Sequence, residues 1–336
     1  MANSPGIVKA AYVVAFVTAG LTVIALLTSA IAFLPLALIP LIAGIGIKRG
    51  RIWSAYGIAL FHFANLLVLL ILLLDLGTAL SWAAIVTAAA VGLGLGVLYL
   101  LPGRSLKAAG SERGSAAPWI AVSALCTLPF IFFRPYVIPS GAMANTLLVG
   151  DRVFVERTWR PNPARGDIIL FRYPLNLNEQ HVKRVIGIPG DHIRLVDKGL
   201  WLNGHPVSEP YVEHITSYIN SYRDNFPSAP NLSLPAQARD MIANHVENGE
   251  VVVPPGFIFN MGDNRDNSLD SRYYGFVPQR NIVGEPLMIY WSYDEPAADI
   301  TNRSAGFDRF SDAILHFPTK TRWARTFRSI HAYPLR

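Results

Sequence analysis

Cysteine and charged residues are both scarce in this sequence. The 336 residues include one cysteine, Cys126, and 15% of them are charged, whereas ordinary soluble domains carry about 25%. One cysteine cannot form a disulfide within the chain, and its place in an apolar run is typical of a small packing residue. No His or Cys cluster has metal-ligand spacing and no glycine-rich phosphate loop is present, so we expect no metal and no organic cofactor.

The shortage of charge is concentrated at the beginning of the chain and predicts a helical membrane region over residues 1–134. Residues 7–47 are nearly all apolar, and as one helix they would extend about 60 Å, twice the thickness of a bilayer core. They must therefore fold back, near Thr28–Pro35. The folded-back run gives two candidate transmembrane helices. Three further apolar runs bring the total to about five, and they are Ile52–Leu74, Leu80–Leu101 and Pro118–Phe133.

The basic residues of this region lie between the apolar runs. They are Lys48, Arg49, Arg51, Arg104, Lys107 and Arg113. Because they flank apolar runs, we interpret them as signals of membrane topology and expect no nucleic-acid partner. With residues 48–51 and 103–114 kept in the cytoplasm, five crossings place everything after Arg134 on the outer side.

Two other interpretations of the apolar region have less support. A cleavable leader does not fit, because further apolar runs follow at once. A transporter with an accessory domain is a weaker alternative. His62 and Asn65 share one helix face, but hydrogen bonding between helices explains such a pair more often than a proton path does.

After Arg134 the pattern changes to short strands separated by Gly and Pro, which predicts a mostly-β domain over residues 135–293. Asn203-Gly204 predicts a turn between two strands. Polar residues 205–250 indicate an insertion with a short helix near Ala236–His245. The predicted strands are Arg152–Glu156, Asp167–Phe171, His181–Ile186, His192–Val196, Leu200–Leu202, Val251–Val253, Phe257–Phe259 and Leu287–Trp291.

Residues 294–336 form the predicted C-terminal tail, which begins with a loose connection over 294–311. Trp323 and Phe327 are four residues apart in a basic stretch. This spacing fits a short amphipathic helix, and a solvated basic tail is equally compatible with it.

Three tracts of the β domain carry the strongest functional signal. They are Tyr136–Leu147 (YVIPSGAMANTL), Lys183–Asp191 (KRVIGIPGD) and Gly262–Arg272 (GDNRDNSLDSR). The last tract is rich in oxygen ligands, but Arg265 interrupts them and the spacing does not match an EF-hand loop. Together the tracts resemble the type I signal peptidase family (leader peptidases), which are serine peptidases with a Ser–Lys dyad. The resemblance covers about 130–205 and 250–293.

The resemblance implies an enzyme of the bacterial inner membrane whose periplasmic β domain cleaves signal peptides from exported preproteins. Its partners are then those signal peptides and the lipid bilayer, and the sequence does not indicate an oligomeric state. The peptide, with small residues before the cut, lies extended along a strand edge. Ile138, Met143 and Leu147 match positions near the substrate pockets, although without the three tracts ordinary core packing would explain them better.

The resemblance also assigns roles to individual residues. Lys183 is the general base, so desolvation must lower the pKa of its amine from about 10.4 towards neutrality. Ser140 and the backbone N–H of residue 142 form an oxyanion hole. The supporting residues are Ser268, which orients Lys183, the salt-bridged pair Asp270 and Arg272, and Asp263.

The position of the family's nucleophilic serine holds Ala142. On a strand running from Ile138 onward, residues 140 and 142 share a face about 6.6 Å apart, too far for Ser140 to attack instead without a register shift. Three interpretations stay open. One is an engineered Ser→Ala change. The second is a natural member that binds signal peptides without cutting them (a pseudoprotease) or uses a displaced nucleophile, and the third is attack by Ser140. Asn145 stands where the family commonly has proline, which favours a natural variant.

Overall fold

The computed structural model describes residues 5–29, 38–76, 82–108, 115–127, 132–158, 161–229, 233–301, 312–313 and 315–335. These residues form two compact units. The helical unit comprises the described residues up to Phe133 together with 312, 313 and 315, and the β-rich unit comprises the others from Arg134 onward. The reversal predicted near Thr28–Pro35 falls mainly outside the described residues. Arg113 and the side chains of Asn65 and Cys126 also fall outside them.

The described part of the helical unit contains five helices. They are α1 (Pro5–Ser29), α2 (Leu38–Lys48), α3 (Ile52–Leu76), α4 (Trp82–Ala108) and α5 (Ala117–Thr127). Runs of Ala and Leu, which are strong helix formers, account for their regularity. Among the described residues, no helix combines the length and the apolar composition that crossing a membrane requires. The five predicted spans are therefore not confirmed.

Small and flat side chains let these helices approach closely. A Cβ atom on Gly96 of α4 would collide with the ring of Phe63 in α3, so this glycine is needed for close helix packing. The ring of His62 in α3 is stacked on Tyr99 of α4, with parallel planes and centroids 5.5 Å apart. Packing between two helices thus explains the buried His62.

The described strands lie in the β-rich unit, except that β1 begins one residue earlier, at Phe133. In chain order they are β1 (Phe133–Val137), β2 (Asp151–Arg157), β3 (Ile168–Tyr173), β4 (Asn176–Gly187), β5 (His192–Val196), β6 (Gly199–Leu202), β7 (His205–Pro206), β8 (Val246–Glu247), β9 (Glu250–Val252), β10 (Phe257–Met261), β11 (Val277–Pro278), β12 (Ile282–Ser292) and β13 (Arg328–Ser329). Each predicted strand overlaps one of these, so the prediction of a mostly-β domain is confirmed.

Two sheets share these strands. The larger has the order β1-β2-β12-β3-β4-β10-β11, with β13 beside β12, and the smaller has the order β7-β6-β5-β9-β8. Between β6 and β7, Asn203 and Gly204 have φ angles of 53° and 79°, which gives the predicted turn.

One edge of β4 is only partly paired. Along its other edge, β4 pairs with β3 from Arg184 back to Asn176. On the β10 side the described pairing involves only Arg184, Val185 and Gly187. The backbone of β4 up to Lys183 therefore has no strand neighbour on that side within the described residues, which leaves room for an extended peptide.

The insertion at 205–250 packs on the smaller sheet. Helix α6 (Ala236–Asn244) confirms the helix predicted near Ala236–His245. Tyr222, Phe226 and Met241 of the insertion are buried in the same apolar core as β5 and β6. The insertion is thus an integral part of the β-rich unit rather than a loose appendage.

The C-terminal tail differs from both of its predicted forms. After the short helices α7 (Ser271–Tyr274), α8 (Ala297–Thr301) and α9 (Phe317–Lys320), residues 323–327 form turns, and Phe327 has a φ of 64°. This left-handed residue stops a helix. The chain then enters β13, and Ile330 packs against the apolar core beyond it. The tail is therefore not an amphipathic helix, and although many of its side chains are exposed, its backbone pairs with β12 and Ile330 contacts the core.

A glycine before β3 gives a test of how firmly the tail is docked. Gly166 has a φ of 89°, and a Cβ atom there would collide with the carbonyl of Tyr333. Gly190 has almost the same φ, 90°, but no atom lies near its missing Cβ. We expect Gly190→Ala to lower the unfolding free energy of the full chain by about 1 kcal/mol, and Gly166→Ala by roughly 3 kcal/mol or more, measured by chemical denaturation. Equal losses would show that the tail yields freely.

Candidate active site

The three sequence tracts meet around one cavity of about 520 Å³ in the β-rich unit. The cavity is lined by Tyr136, Ile138, Pro139, Ser140, Gly141, Ala142, Met143, Glu179, Gln180, His181, Val182, Lys183, Asn267, Leu269 and Thr301. The lining includes members of all three tracts, together with the part of β4 that has no strand neighbour on its β10 side in the described residues. Across the described ranges, no three His, Cys, Asp or Glu side chains are close enough to hold a metal ion.

Lys183 lies on β4 opposite Ile169 of β3, and its side chain reaches this cavity. The residue is only 4% exposed. Burial lowers the pKa of its amine to about 8, and the nearby Arg272 acts in the same direction, while Asp270 and Asp263 oppose the shift. At pH 8 about half of the amine is then neutral, whereas an amine with the ordinary pKa of 10.5 is almost fully charged. Lys183 is therefore suited to accept a proton near neutral pH.

Asp270 and Arg272 form a buried two-pronged ion pair behind Lys183. Arg272 Nε and Nη2 donate to the two carboxylate oxygens at 2.8 and 2.7 Å. Burial alone would raise the pKa of Asp270, but the guanidinium of Arg272 outweighs it and holds that pKa below its usual value. Because each charge has a partner, the pair places little net charge beside the amine.

Ser268 is buried beside the loop that carries Ala142. It is 7% exposed, and its neighbours Asn267 and Leu269 line the cavity. A Cβ atom on Gly262 would collide with both Ser268 Oγ and the carbonyl oxygen of Ala142. Gly262 is thus the residue that lets these two segments touch.

The segment around Ala142 corrects the predicted strand. Gly141–Met143 forms one turn of 3-10 helix, and Ser140 directly before it is extended, with φ −141° and ψ 157°. Pro139 has no N–H to give to a strand ladder, and the N–H of Ala144 instead donates to the carbonyl of Gly141 at 3.0 Å. The strand spacing of residues 140 and 142 therefore does not apply.

Ser140 and Ala142 both line the cavity. Ser140 is exposed and Ala142 is 8% exposed. The backbone carbonyl of Ala142 accepts a hydrogen bond from the N–H of Asn264 at 3.1 Å. The loop is therefore fixed by its backbone, whichever side chain residue 142 carries.

Asn145 has a left-handed backbone, with a φ of 79°. Asparagine tolerates this conformation, whereas proline is restricted to a φ near −65°. Its side-chain amide donates to the carbonyl of Tyr211 in the insertion at 3.3 Å. The departure from the expected proline therefore accompanies a loop path that proline cannot follow.

The three predicted substrate-contact residues separate into two groups. Ile138, Met143 and Leu147 are all buried in one apolar cluster, at 2%, 2% and 0% exposure. Ile138 and Met143 also line the cavity, but Leu147 does not. Leu147 therefore belongs to the core alone, whereas Ile138 and Met143 belong to the core and also line the cavity.

Asp263 is paired with Arg184, a residue to which the sequence analysis gave no role. Arg184 Nε and Nη2 donate to the carboxylate at 2.8 and 2.7 Å, and Thr146 Oγ1 donates to it at 2.5 Å. The guanidinium also lies over the ring of Tyr211, 3.8 Å from the centroid. This network connects β4, the acidic tract and the Ala142 loop. The only sequence feature that pointed to Arg184 was its position directly after Lys183.

His181 is a second residue that the sequence analysis did not single out. It lines the cavity two residues before Lys183 and stacks on Tyr173, with centroids 4.5 Å apart. Burial, together with the positive charge of Lys183, lowers the pKa of His181 to about 4. The imidazole is therefore neutral where Lys183 functions, and it presents a flat polar surface to the cavity.

Two arginines of the tail hold the far side of the Ala142 loop. Arg325 donates to the carbonyl of Thr146 at 3.0 Å and pairs with the buried Asp151 at 2.5 Å. Arg322 donates to the carbonyl of Val149 at 2.8 Å. The only sequence feature that pointed to Arg322 and Arg325 was their spacing of three residues. Such a spacing does not show that their partners lie far away in the chain.

Comparison with known proteins places these features in a family context. The family model described as "Signal peptidase, peptidase S26" matches residues 114–291, just over half of the chain. Signal peptidase I of Pseudomonas aeruginosa is 35% identical over 191 residues, which cover 48% of this chain and 66% of that protein. Signal peptidase I of Bacillus caldolyticus is 36% identical over 187 residues, covering 55% and 94%.

A solved signal peptidase I from Enterococcus faecalis V583 has 32% sequence identity and a TM-score of 0.28, covering 37% of this chain and 96% of that one. The chain thus spans slightly less than two thirds of the length of the Pseudomonas relatives and nearly all of the Bacillus protein.

The lowered pKa of Lys183 predicts a particular dependence of stability on pH. Its pKa falls from 10.5 to about 8 on folding, so the unfolded chain binds more protons between these values and stability rises with pH there. In Lys183→Met this group is absent. We expect the unfolding free energy of the wild type, relative to the variant, to rise by about 3 kcal/mol between pH 7.5 and 10.5. A flat difference across this range would mean that the amine is solvated.

The contact between the tail and the loop gives a second prediction. Arg325→Ala removes the guanidinium that covers Thr146 and Asp151, so amide hydrogen exchange over residues 144–151 should accelerate by about tenfold or more. Arg328→Ala is the matched control, because residue 328 lies on the exposed strand β13. If both variants leave exchange in the loop unchanged, the tail does not restrain it.

Proposed function

The chain belongs to the signal peptidase family, peptidase S26, and from this premise we propose that it acts on the signal peptides of exported preproteins as a serine-type endopeptidase. One observation carries the proposal. A buried lysine, its pKa lowered to about 8, lines a cavity together with the segment that holds Ser140 and Ala142. This is the arrangement that a lysine general base requires.

The proposed chemistry divides the work among residues of the cavity. With a serine at position 142, neutral Lys183 accepts the proton of the attacking hydroxyl as it bonds to the substrate carbonyl, and delivers that proton to the amine that leaves as the peptide bond breaks. Water, deprotonated by the same lysine, then hydrolyses the acyl-enzyme and restores the serine. Ser140 and the N–H of residue 142 stabilise the oxyanion that develops on the substrate carbonyl. Ser268 orients the lysine, and the ion pair of Asp270 with Arg272 supports this arrangement from behind.

The substrate is proposed to bind as an additional strand. The edge of β4 up to Lys183 supports this, because it borders the cavity and has no strand neighbour on that side within the described residues. Ile138 and Met143 would contact the small side chains before the cut. His181 and Glu179 line the same cavity, so its wall on the β4 side is polar.

We place the enzyme in the bacterial inner membrane, with the helical unit in the bilayer and the β-rich unit on the periplasmic side. The support comes from the sequence. The apolar runs within residues 7–133 alternate with the basic segments 48–51 and 103–114, and such basic segments stay in the cytoplasm. A membrane location also suits the substrate, since signal peptides are apolar.

A second candidate function is favoured by one residue, Ala142. Its methyl group supplies no hydroxyl at the position of attack, and removing the nucleophile from a serine peptidase typically costs about a million-fold in turnover. The chain with Ala142 would then bind signal peptides and release them uncut. The backbone of the loop is compatible with either function, because the contact between Ala142 and Asn264 uses no side-chain atom.

A cleavage assay with Ala142→Ser separates the two functions. With a preprotein substrate and the full chain in lipid, we expect the serine variant to cleave on the order of 10⁴- to 10⁶-fold faster than the Ala142 chain. Its rate should rise about tenfold per pH unit up to an apparent pKa of about 8, the value for Lys183.

Ala142→Ser combined with Lys183→Met is the control and should be silent. Cleavage by the Ala142 chain at a comparable rate would point to another nucleophile, for which Ser140→Ala is the next variant. If both chains bind the peptide and neither cleaves it, the peptidase function is refuted and only the function of binding signal peptides without cutting them is supported. No binding and no cleavage by folded protein would refute both functions.

A further inference from the structure

A second cavity, of about 590 Å³, lies at one end of the helical unit between α2, α3 and α5. Its walls include Ile39, Ile42 and Ile45 of α2, and its rim includes Arg49 and Arg51. Nothing in the proposed peptidase chemistry uses this cavity. Its combination of an apolar wall and a cationic rim indicates a ligand that has both characters.

The turn between α2 and α3 places the two arginines. Gly50 has a φ of 75° and ends α2, with its N–H donating to the carbonyl of Ile47 at 2.9 Å. The N–H of Arg51 donates to the carbonyl of Gly46 at 2.9 Å, which completes the two bonds of a glycine-terminated helix. A rigid turn thus presents two guanidinium groups to the same cavity. Both arginines are exposed, and within the described residues neither has an acidic partner.

Close packing fixes the walls of the cavity. A Cβ atom on Gly46 would collide with the hydroxyl of Ser54, so α2 and α3 touch at this point. A Cβ atom on Gly57 would likewise collide with the ring of Trp119, which holds α5 against α3. The cavity therefore lies between helices in direct contact rather than in a loose gap.

The character of the lining favours an anionic lipid over a soluble anion. Among the described residues that line the cavity none is acidic, while Trp53 and Trp119 are both present. Tryptophan is enriched where the headgroups of a bilayer meet its apolar core. Ile42 and Ile45 are 57% and 40% exposed, so the apolar wall continues onto the outer surface of α2, where an acyl chain can follow it.

We propose that this cavity binds one anionic phospholipid, with its phosphate between Arg49 and Arg51 and an acyl chain along the isoleucines of α2. The proposal rests on the membrane location given under the proposed function. Basic pockets between helices on the cytoplasmic side of a membrane are a known form of lipid headgroup site. The orientation predicted from residues 48–51 puts the cavity on that side.

Native mass spectrometry of the full chain in neutral detergent tests this site. With equal amounts of phosphatidylglycerol and phosphatidylcholine, we expect the wild type to retain the anionic lipid with roughly 10- to 30-fold higher affinity. Arg49→Gln with Arg51→Gln should remove this preference. Ile42→Glu, which introduces a negative charge at an exposed wall position, should weaken it without disturbing the turn.

Arg104→Gln with Lys107→Gln is the matched control, because it removes two positive charges from exposed positions outside the lining. It should retain the preference within about threefold. An equal loss in this control would show diffuse attraction to the basic surface and overturn the site. The proposal also fails if the wild type shows no preference, or if soluble glycerol 3-phosphate displaces the lipid, since a phosphate group alone would then suffice.

Cleavage by Ala142→Ser is measured on the same preparations. If Ala142→Ser with both arginines in place cleaves but shows no preference for the anionic lipid, the lipid site alone is refuted. A normal lipid preference without cleavage refutes the peptidase function alone.

Discussion

The desolvated amine of Lys183 is the constraint on which the β-rich unit depends. Burial keeps its pKa near 8, but an unpaired carboxylate at the same depth would return the proton to it. The guanidinium of Arg272 prevents this because it donates hydrogen bonds to both oxygens of Asp270. Asp263 is occupied in the same way by Arg184. Two buried ion pairs thus surround the lysine while adding little net charge, and each has an arginine whose fixed fork of donors holds the carboxylate in place.

The loop around residue 142 is held from three directions, and none of these contacts involves the side chain at that position. Its carbonyl meets Asn264, Thr146 binds Asp263, and Arg325 covers the next turn. The geometry of the loop is therefore independent of the side chain at position 142. The chain retains the cavity and the buried lysine without a hydroxyl at residue 142, which is why the fold alone does not decide between the two proposed functions.

Short-range patterns predicted much of this structure. Short runs of alternating or wholly apolar residues predicted the strands, Asn203-Gly204 predicted a turn, and a short helix was expected near Ala236–His245 of the polar insertion, where the structure has Ala236–Asn244. The path at residues 140–145 was not predictable in this way, because Pro139 and the left-handed Asn145 act together with contacts from distant segments. Arg184 and Arg325 were missed for a related reason. Their partners lie 79 and 174 positions away, so no local spacing reports them.

The backbone of Asn145 also limits how this chain can be converted into its relatives. Serine fits any φ angle that Ala142 adopts, so the missing hydroxyl can be restored without moving the main chain. The expected proline at 145 cannot take a φ of 79°, and it would have to redirect the segment that Thr146 ties to Asp263. Exchanging both residues for their counterparts is thus a different experiment from exchanging one. A residue preferred elsewhere in the family therefore cannot simply be transferred to position 145, because the main chain of this loop excludes it.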